Sequence, residues 1–337
     1  MSKTKATKKK ATKKKVSKKV TKKSASKKVA KKASSKKLSK KNVKSVSEGS
    51  FKAQAKKELA QDKHIHPRRL LELSRRIHGN KAKHKIAIDM LERYTGHDIK
   101  DFQNQIILTN FHKYIETFNE TFDDAYHTKG SAFQASSSKE AHVTIIEFGV
   151  GSAMAALVGE LVSVVNPKAV LFLGLCGAVH RSLKVGDFIL PIASIRAEGV
   201  SGHFLPPQVP ALPTFKIQKF VSQILVENKI EYRTGTIHST DFRFWEFDQK
   251  FKDNLIDERV LAVEMETAAL FTICFVSKVN IGALLLVSDC PMQKGGIKTK
   301  ESAKEVFKKY TAKHIDLGIQ AMKEIATRGE KIRHYTW

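Results

Sequence analysis

The sequence predicts an α/β layered domain centred on one largely parallel sheet, carried behind a lysine-rich arm, and three observations lead there. Near-continuous apolar runs such as Ala169–Leu173 and Ile281–Val287 read as strands buried on both faces. Seven predicted strands alternate with helical stretches from Ile86 onward. Charge is distributed unevenly: residues 1–47 hold 21 lysines and no acid, which leaves +7 of the formal +28 on the other 290 residues.

The arm, Met1 to Ser47, is a low-complexity mixture of Lys, Ala, Ser, Thr and Val. Self-repulsion at that lysine density, with little apolar surface to bury, predicts a disordered segment. It resembles the lysine-rich tails of linker-histone-like proteins. Lysines without aromatics would hold nucleic acid through phosphates, with little sequence choice and strong salt dependence; the alternative is a solubilising arm. The segment has no arginine before Arg68, unlike most transit peptides. Residues 48–85 remain basic, and Leu59, Leu70, Leu71, Leu73 and Ile77 predict a linker with one or two amphipathic helices. Its histidines, His64, His66, His78 and His84, lack ligand spacing and read as surface residues. The globular domain is expected over 86–337.

Three cysteines, Cys176, Cys274 and Cys290, form no metal or disulfide spacing, which fits a reducing compartment. No apolar run reaches the roughly 18–20 residues of a membrane helix, and the N-terminus lacks the apolar core of a secretory signal. The expectation is a soluble cytoplasmic protein with no membrane, metal or cofactor.

The elements follow in order. Ile106–Thr109 reads as a strand leading to a helix from about Asn110. Val143–Phe148 is a second strand that runs into Gly149-Val150-Gly151-Ser152 and a helix over 153–165. This turn puts backbone amides and a helix N-terminus where an anion or hydroxyl can approach, but Met154 stands where a dinucleotide fingerprint needs its third glycine. Ala169–Leu173 ends in a second glycine turn, Gly174-Leu-Cys176-Gly177-Ala178. A strand over 185–196 leaves on Arg196, and four prolines between Pro206 and Pro213 break the chain before a helix over 214–227. Thr234–Thr240 is another strand, followed by Asp241-Phe-Arg243-Phe-Trp245-Glu246-Phe, a segment suited either to core packing or to walling a planar ligand. Val260–Val263 is a short strand before a buried helix, Ile281–Val287 delivers Ser288-Asp289, and a long helix over 302–326 closes the domain.

Glu264 and Glu266 flank Met265 at a strand-to-helix corner, an unusual place for two acids. One reading is a helix N-terminus with acids set against the macrodipole, at about 0.3–1 kcal/mol each. The other is a ligand site at the carboxyl end of a strand. Ser288-Asp289 is likewise either a capping turn or a site element. In a mostly parallel sheet the glycine turns, Arg196, the two acids and Asp289 would share one cleft.

Val263-Glu-Met-Glu-Thr-Ala-Ala, Leu286-Val-Ser-Asp289-x-Pro291 and Gly174-x-Cys-Gly-Ala together resemble the purine nucleoside phosphorylase and nucleosidase superfamily, above all its AMP nucleosidase branch. The motifs supporting that branch are Leu205-Pro-Pro-x-Val-Pro-Ala-Leu-Pro213, Arg233-Thr-Gly-Thr, Ser239-Thr-Asp-x-Arg243-x-Trp245-Glu246 and Ile189 to Gly199. The likeness spans about 86–337 and none of the arm. It implies a three-layer, phosphorylase-like domain with a mostly parallel, mixed sheet, a homo-oligomer, and hydrolysis of AMP to adenine and ribose 5-phosphate. The rivals are a nucleosidase for other purine nucleosides and an inactive, nucleic-acid-associated member of the fold. By the resemblance Asp289 protonates the leaving purine at N7, Glu266 accepts from the ribose hydroxyls, Met265 packs on the sugar, and Glu264 supports Glu266. Gly151, Cys176, Gly177 and Ser288 line the cleft, and the loop with Arg243 and Trp245 walls the purine. Arg196, Arg243 and Lys298 are the candidates for a 5′-phosphate, and Glu198 for the base that activates water. Where hexameric bacterial phosphorylases hold inorganic phosphate by an arginine and a serine, this chain has Phe172 and Leu175, which implies water as the nucleophile.

Overall fold

The structure, a computed structural model, describes residues 81–328. The predicted arm, all but the end of the predicted linker, and residues 329–337 lie outside the described residues, and with them His64, His66 and His78. His84 is exposed, as expected.

The chain runs α1 (Lys81–Thr95), β1 (Gln105–Thr109), α2 (His112–Thr121), β2 (Tyr126–Lys129), β3 (Gln134–Ser138), β4 (Val143–Glu147), α3 (Ser152–Val162) and β5 (Ala169–Ala178). It continues through β6 (Phe188–Ala197), α4 (Phe215–Glu227), β7 (Tyr232–Thr240), α5 (Gln249–Asp257), β8 (Ala262–Glu264), α6 (Thr267–Val276), β9 (Ile281–Asp289) and α7 (Lys300–Thr327). Strand alternation sorts the apolar residues into two layers. Ile106, Leu108, Val170, Phe172 and Leu285 face one side, with α1, α3 and α6 over them. Ile107, Leu171, Leu173, Leu284 and Leu286 face the other, beneath α2, α4 and α7. The result is the expected three-layer α/β domain.

The sheet order is β2-β3-β4-β1-β5-β8-β7-β6-β9, and β9 also pairs with β5, so five strands close into a ring. Pairings β1–β4, β1–β5, β5–β9, β6–β7 and β7–β8 are parallel. Pairings β2–β3, β3–β4, β5–β8 and β6–β9 are antiparallel. Nine strands replace the seven expected, because the hairpin β2–β3 carries Tyr-His-Thr-Lys and Gln-Ala-Ser-Ser-Ser rather than apolar runs. Its buried polar groups are satisfied by side chains from other elements: Ser136 Oγ donates to Asn119, and Ser137 Oγ lies 2.9 Å from His97 Nε2. Among the described residues no helix is long and apolar enough to cross a membrane.

Ring closure sets the site. At the end of β5, Gly177 pairs with Val263 of β8 on one side and with Asp289 of β9 on the other, through a bulge at Cys176/Gly177. His238 of β7 pairs in turn with Val263 and with Ile195 of β6. The predicted site residues on β6 to β9 therefore meet across a row of the ring, not along the common edge of a parallel sheet.

Candidate active site

Glu264 is the last residue of β8 and Glu266 is the N-cap of α6, both about 95% buried. Their partners differ. Glu264 Oε1 accepts a short hydrogen bond from the Ser239 hydroxyl, and its Oε2 accepts the amides of Glu266 and Thr267, each at 2.7 Å. Because Ser239 donates there, the Ser194 hydroxyl at 2.8 Å is the donor to Ser239, which also accepts the Ala268 amide at 2.9 Å. Glu264 is thus held as a multiply solvated carboxylate. Glu266 Oε1 accepts the Gly151 amide at 2.6 Å, and the Met265 amide and the Asn110 side chain also reach the carboxyl. Burial, and then the Glu264 charge, push Glu266 up to about 8. Burial raises the proton affinity of Glu264 as well, but its hydrogen bonds from Ser239 and from the Glu266 and Thr267 amides oppose that rise, so Glu266 binds its proton the more firmly of the two.

Gly151 makes this contact possible. Its φ of 102° at the N-cap of α3 belongs to glycine, and no atom lies within 4 Å of where a Cβ would be. Asn110, at the end of β1, anchors the same turn by donating to the Gly149 carbonyl at 2.9 Å, while its Oδ1 is buried without a partner among the described residues. Neither Asn110 nor Ser239 was among the residues singled out from sequence. A polar residue directly after an apolar strand is the one signal that marks Asn110 beforehand.

Asp289 ends β9. Its Oδ1 lies 2.6 Å from Ser288 Oγ and 3.8 Å from Lys298 Nζ. Burial raises its proton affinity, against Lys298 and Ser288, which lower it. Burial in turn lowers that of Lys298. Ser288 Oγ also lies 3.3 Å from the Cys176 carbonyl, tying β9 to the glycine turn. The Cys176 thiol faces the Leu286 carbonyl at 3.7 Å, and burial pushes its pKa well up, so it stays a neutral thiol. A Cβ on Gly177 would stand 3.2 Å from Pro291 Cγ and 3.6 Å from Asp289 Oδ2. Glycine is what lets the Pro291 ring pack so closely against β5.

Two expected ligand contacts have other work. Arg196 donates through Nε to Ser201 Oγ at 2.9 Å, through Nη1 to the carbonyls of Pro206 and Val209 at 2.5 and 2.8 Å, and through Nη2 to that of Leu205 at 2.8 Å. Its planar fork fastens the proline loop. Trp245 is buried with Val179, Leu255, Val260 and Val263 and supports its segment from beneath, whereas Phe242, Phe244 and Phe247 are exposed. Glu198 caps a short turn by accepting the Ser201 amide at 2.9 Å, and its Oε1 is buried without a partner among the described residues. Arg243 Nη1 donates to Glu246 Oε1 at 2.8 Å. Met265 is half-buried between the two acids. Phe172 and Leu175 are both buried in apolar clusters, so neither position offers charge to an anion.

A ring-closed α/β sheet with buried acids at the ends of β8 and β9 defines a class, and the family comparison agrees: the chain belongs to the phosphorylase superfamily, whose model matches residues 97–322. Within it, the chain is similar to AMP nucleosidases. That of Escherichia coli (strain K12) is 26% identical over 86% of this chain and 69% of its own length. The crystal structure of AMP nucleosidase from Bacteroides thetaiotaomicron VPI-5482 is 36% identical and covers 73% of this chain and 98% of that one, at a TM-score of 0.65. Uridine phosphorylase from Vibrio fischeri ES114, 17% identical at a TM-score of 0.61, shares the fold.

Proposed function

We propose that this chain hydrolyses the N-glycosidic bond of AMP, releasing adenine and ribose 5-phosphate. The observation that carries the proposal is a carboxyl whose burial favours its protonated form, Asp289, one strand away from the Glu264–Glu266 corner. Breaking the bond leaves negative charge on the base and positive charge on the ribose. Asp289 gives its proton to N7 as the bond breaks. Glu266 accepts from the ribose hydroxyls, Met265 packs on the sugar, and Glu264 holds the turn. Water takes the place of phosphate because Phe172 and Leu175 are apolar and buried. Glu198, with its unpartnered Oε1, is the acceptor assigned to the water proton.

A second reading, a nucleosidase for unphosphorylated purine nucleosides, is favoured by one observation. Of the three cations considered for a 5′-phosphate, Arg196 is taken up by loop carbonyls, and Arg243 and Lys298 each already face one carboxylate. Incubating the full chain with AMP, adenosine, GMP and methylthioadenosine, with and without inorganic phosphate, and measuring free base separates the two. AMP should be the preferred substrate, with release independent of phosphate. Phosphate-dependent release, or adenosine outrunning AMP, would overturn the AMP hydrolase.

The remaining parts of the reading are a division into arm (1–47), linker (48–85) and catalytic domain (86–337), a homo-oligomer, and a cytoplasmic location. Exposed Phe215, Phe244 and Phe247 support self-association. The 21 lysines of the arm support non-specific contact with nucleic acid. DNA binding should weaken steeply with salt and vanish on deleting 1–47; binding that survives the deletion counts against that role.

A further inference from the structure

We propose that Glu246 reads the 6-position of the purine: its free carboxylate oxygen accepts a hydrogen bond from the exocyclic amine of adenine while the Asp289 carboxyl donates to the neighbouring N7. The inference rests on the purine-cleaving role assigned to this cleft, and extends it to the choice of base.

Glu246 sits in the single turn Trp245–Phe247, and its side chain is 6% exposed. Arg243 supplies a counter-charge and a donor to Oε1 at 2.8 Å, but Oε2 is buried with no partner among the described residues. A buried carboxylate oxygen without a donor is costly, and a ligand N–H is the donor that would complete it. Glu246 also belongs to the electrostatic surroundings of the proton donor. Its charge raises the proton affinity of Asp289, Arg243 lowers it, and both act on Lys298 as well. Four charged groups thus act on one another around the end of β9, outside any pairing the backbone requires. Trp245, buried beside Glu246 against Val260 and Val263 and 5.9 Å from the Phe251 ring, keeps the turn in place.

The chemistry of the purine edge does the rest. Adenine presents an acceptor at N7 and a donor at N6, whereas a 6-oxo purine presents acceptors at both positions. A donor at Asp289 beside an acceptor at Glu246 complements the first pattern and opposes the second. Sites built around a hydrogen bond reject ligands that lack it by large factors, so discrimination of at least about 100-fold is expected.

The test is calorimetric binding of the free bases adenine, hypoxanthine and unsubstituted purine to the full chain and to its Glu246→Gln variant. Wild type should bind adenine at least about 100-fold more tightly than either other base. In Glu246→Gln, whose amide can present oxygen or N–H, the adenine-to-hypoxanthine ratio should fall to within about fivefold. Equal binding of adenine and purine by wild type, an unchanged ratio in the variant, or no base binding at all would overturn the proposal. Should the variant fail to fold, the wild-type comparison of adenine with purine decides alone. Free bases carry neither ribose nor phosphate, so a chain that cleaves adenosine in preference to AMP would refute the nucleotide reading while leaving this result intact.

Discussion

Replacing Glu266 with Gln removes one proton-binding site and keeps the oxygen that accepts the Gly151 amide. In the folded protein burial and the Glu264 charge push Glu266 up to about 8 from an ordinary 4.5, the value close to which it titrates once unfolded. Between those values the folded protein holds a proton that the unfolded chain has lost. Stability from this group is fully present below about pH 4.5 and is lost as pH rises through about 8. At about 1.4 kcal/mol per pH unit for one proton, raising the pH from about 5.5 to about 8 should cost the native protein about 3 kcal/mol relative to Glu266→Gln. Urea unfolding of both proteins across that range measures the difference. It should widen with pH and then level off as the folded protein also deprotonates. Parallel stability curves would show that Glu266 titrates as an ordinary surface acid and would refute the account of burial and the Glu264 charge acting on it.

Asp289→Asn should lower kcat by about 10²–10⁴-fold while nucleotide binding, followed by calorimetry, is retained; normal turnover would refute the proton-donor role. Lys298→Met removes a charge that holds the Asp289 pKa down, so the alkaline limb of the kcat/KM profile should move to higher pH, and a move to lower pH would contradict the pairing. Arg196→Met should cost about 2–4 kcal/mol in thermal or urea unfolding, because four contacts to the 201–209 loop are lost. Its KM for AMP should be unchanged, and a large rise in KM with full stability would return Arg196 to the substrate.

Much of the fold was legible because the strands that build its centre are buried on both faces, and burial on both faces leaves a continuous apolar run in β5 and β9. The hairpin β2–β3 was not, since its serines are buried by pairing with Asn119, His97 and Asp124, residues distant in sequence. The same contrast holds at the site. Glu264, Glu266 and Asp289 stood out as acids set against apolar runs. Ser239 and Asn110 did not, as their importance comes from reaching Glu264 and Glu266 from other strands, Ser239 from β7 and Asn110 from the end of β1. Arg196 was legible as a charge at a strand end, but the carbonyls that take its hydrogen bonds belong to a loop whose path depends on tertiary packing.

By itself the sequence determined the period and burial of the core strands, the glycine turns, and which carboxyl-bearing residues sit at strand ends, because these are properties of neighbours along the chain. Only the tertiary structure decided that β5 pairs with both β8 and β9 at Gly177, which sets Asp289 one strand from the Glu264–Glu266 corner. It also decided which acid of that corner holds the proton, since desolvation and Coulomb interaction depend on distances through space that no local pattern records.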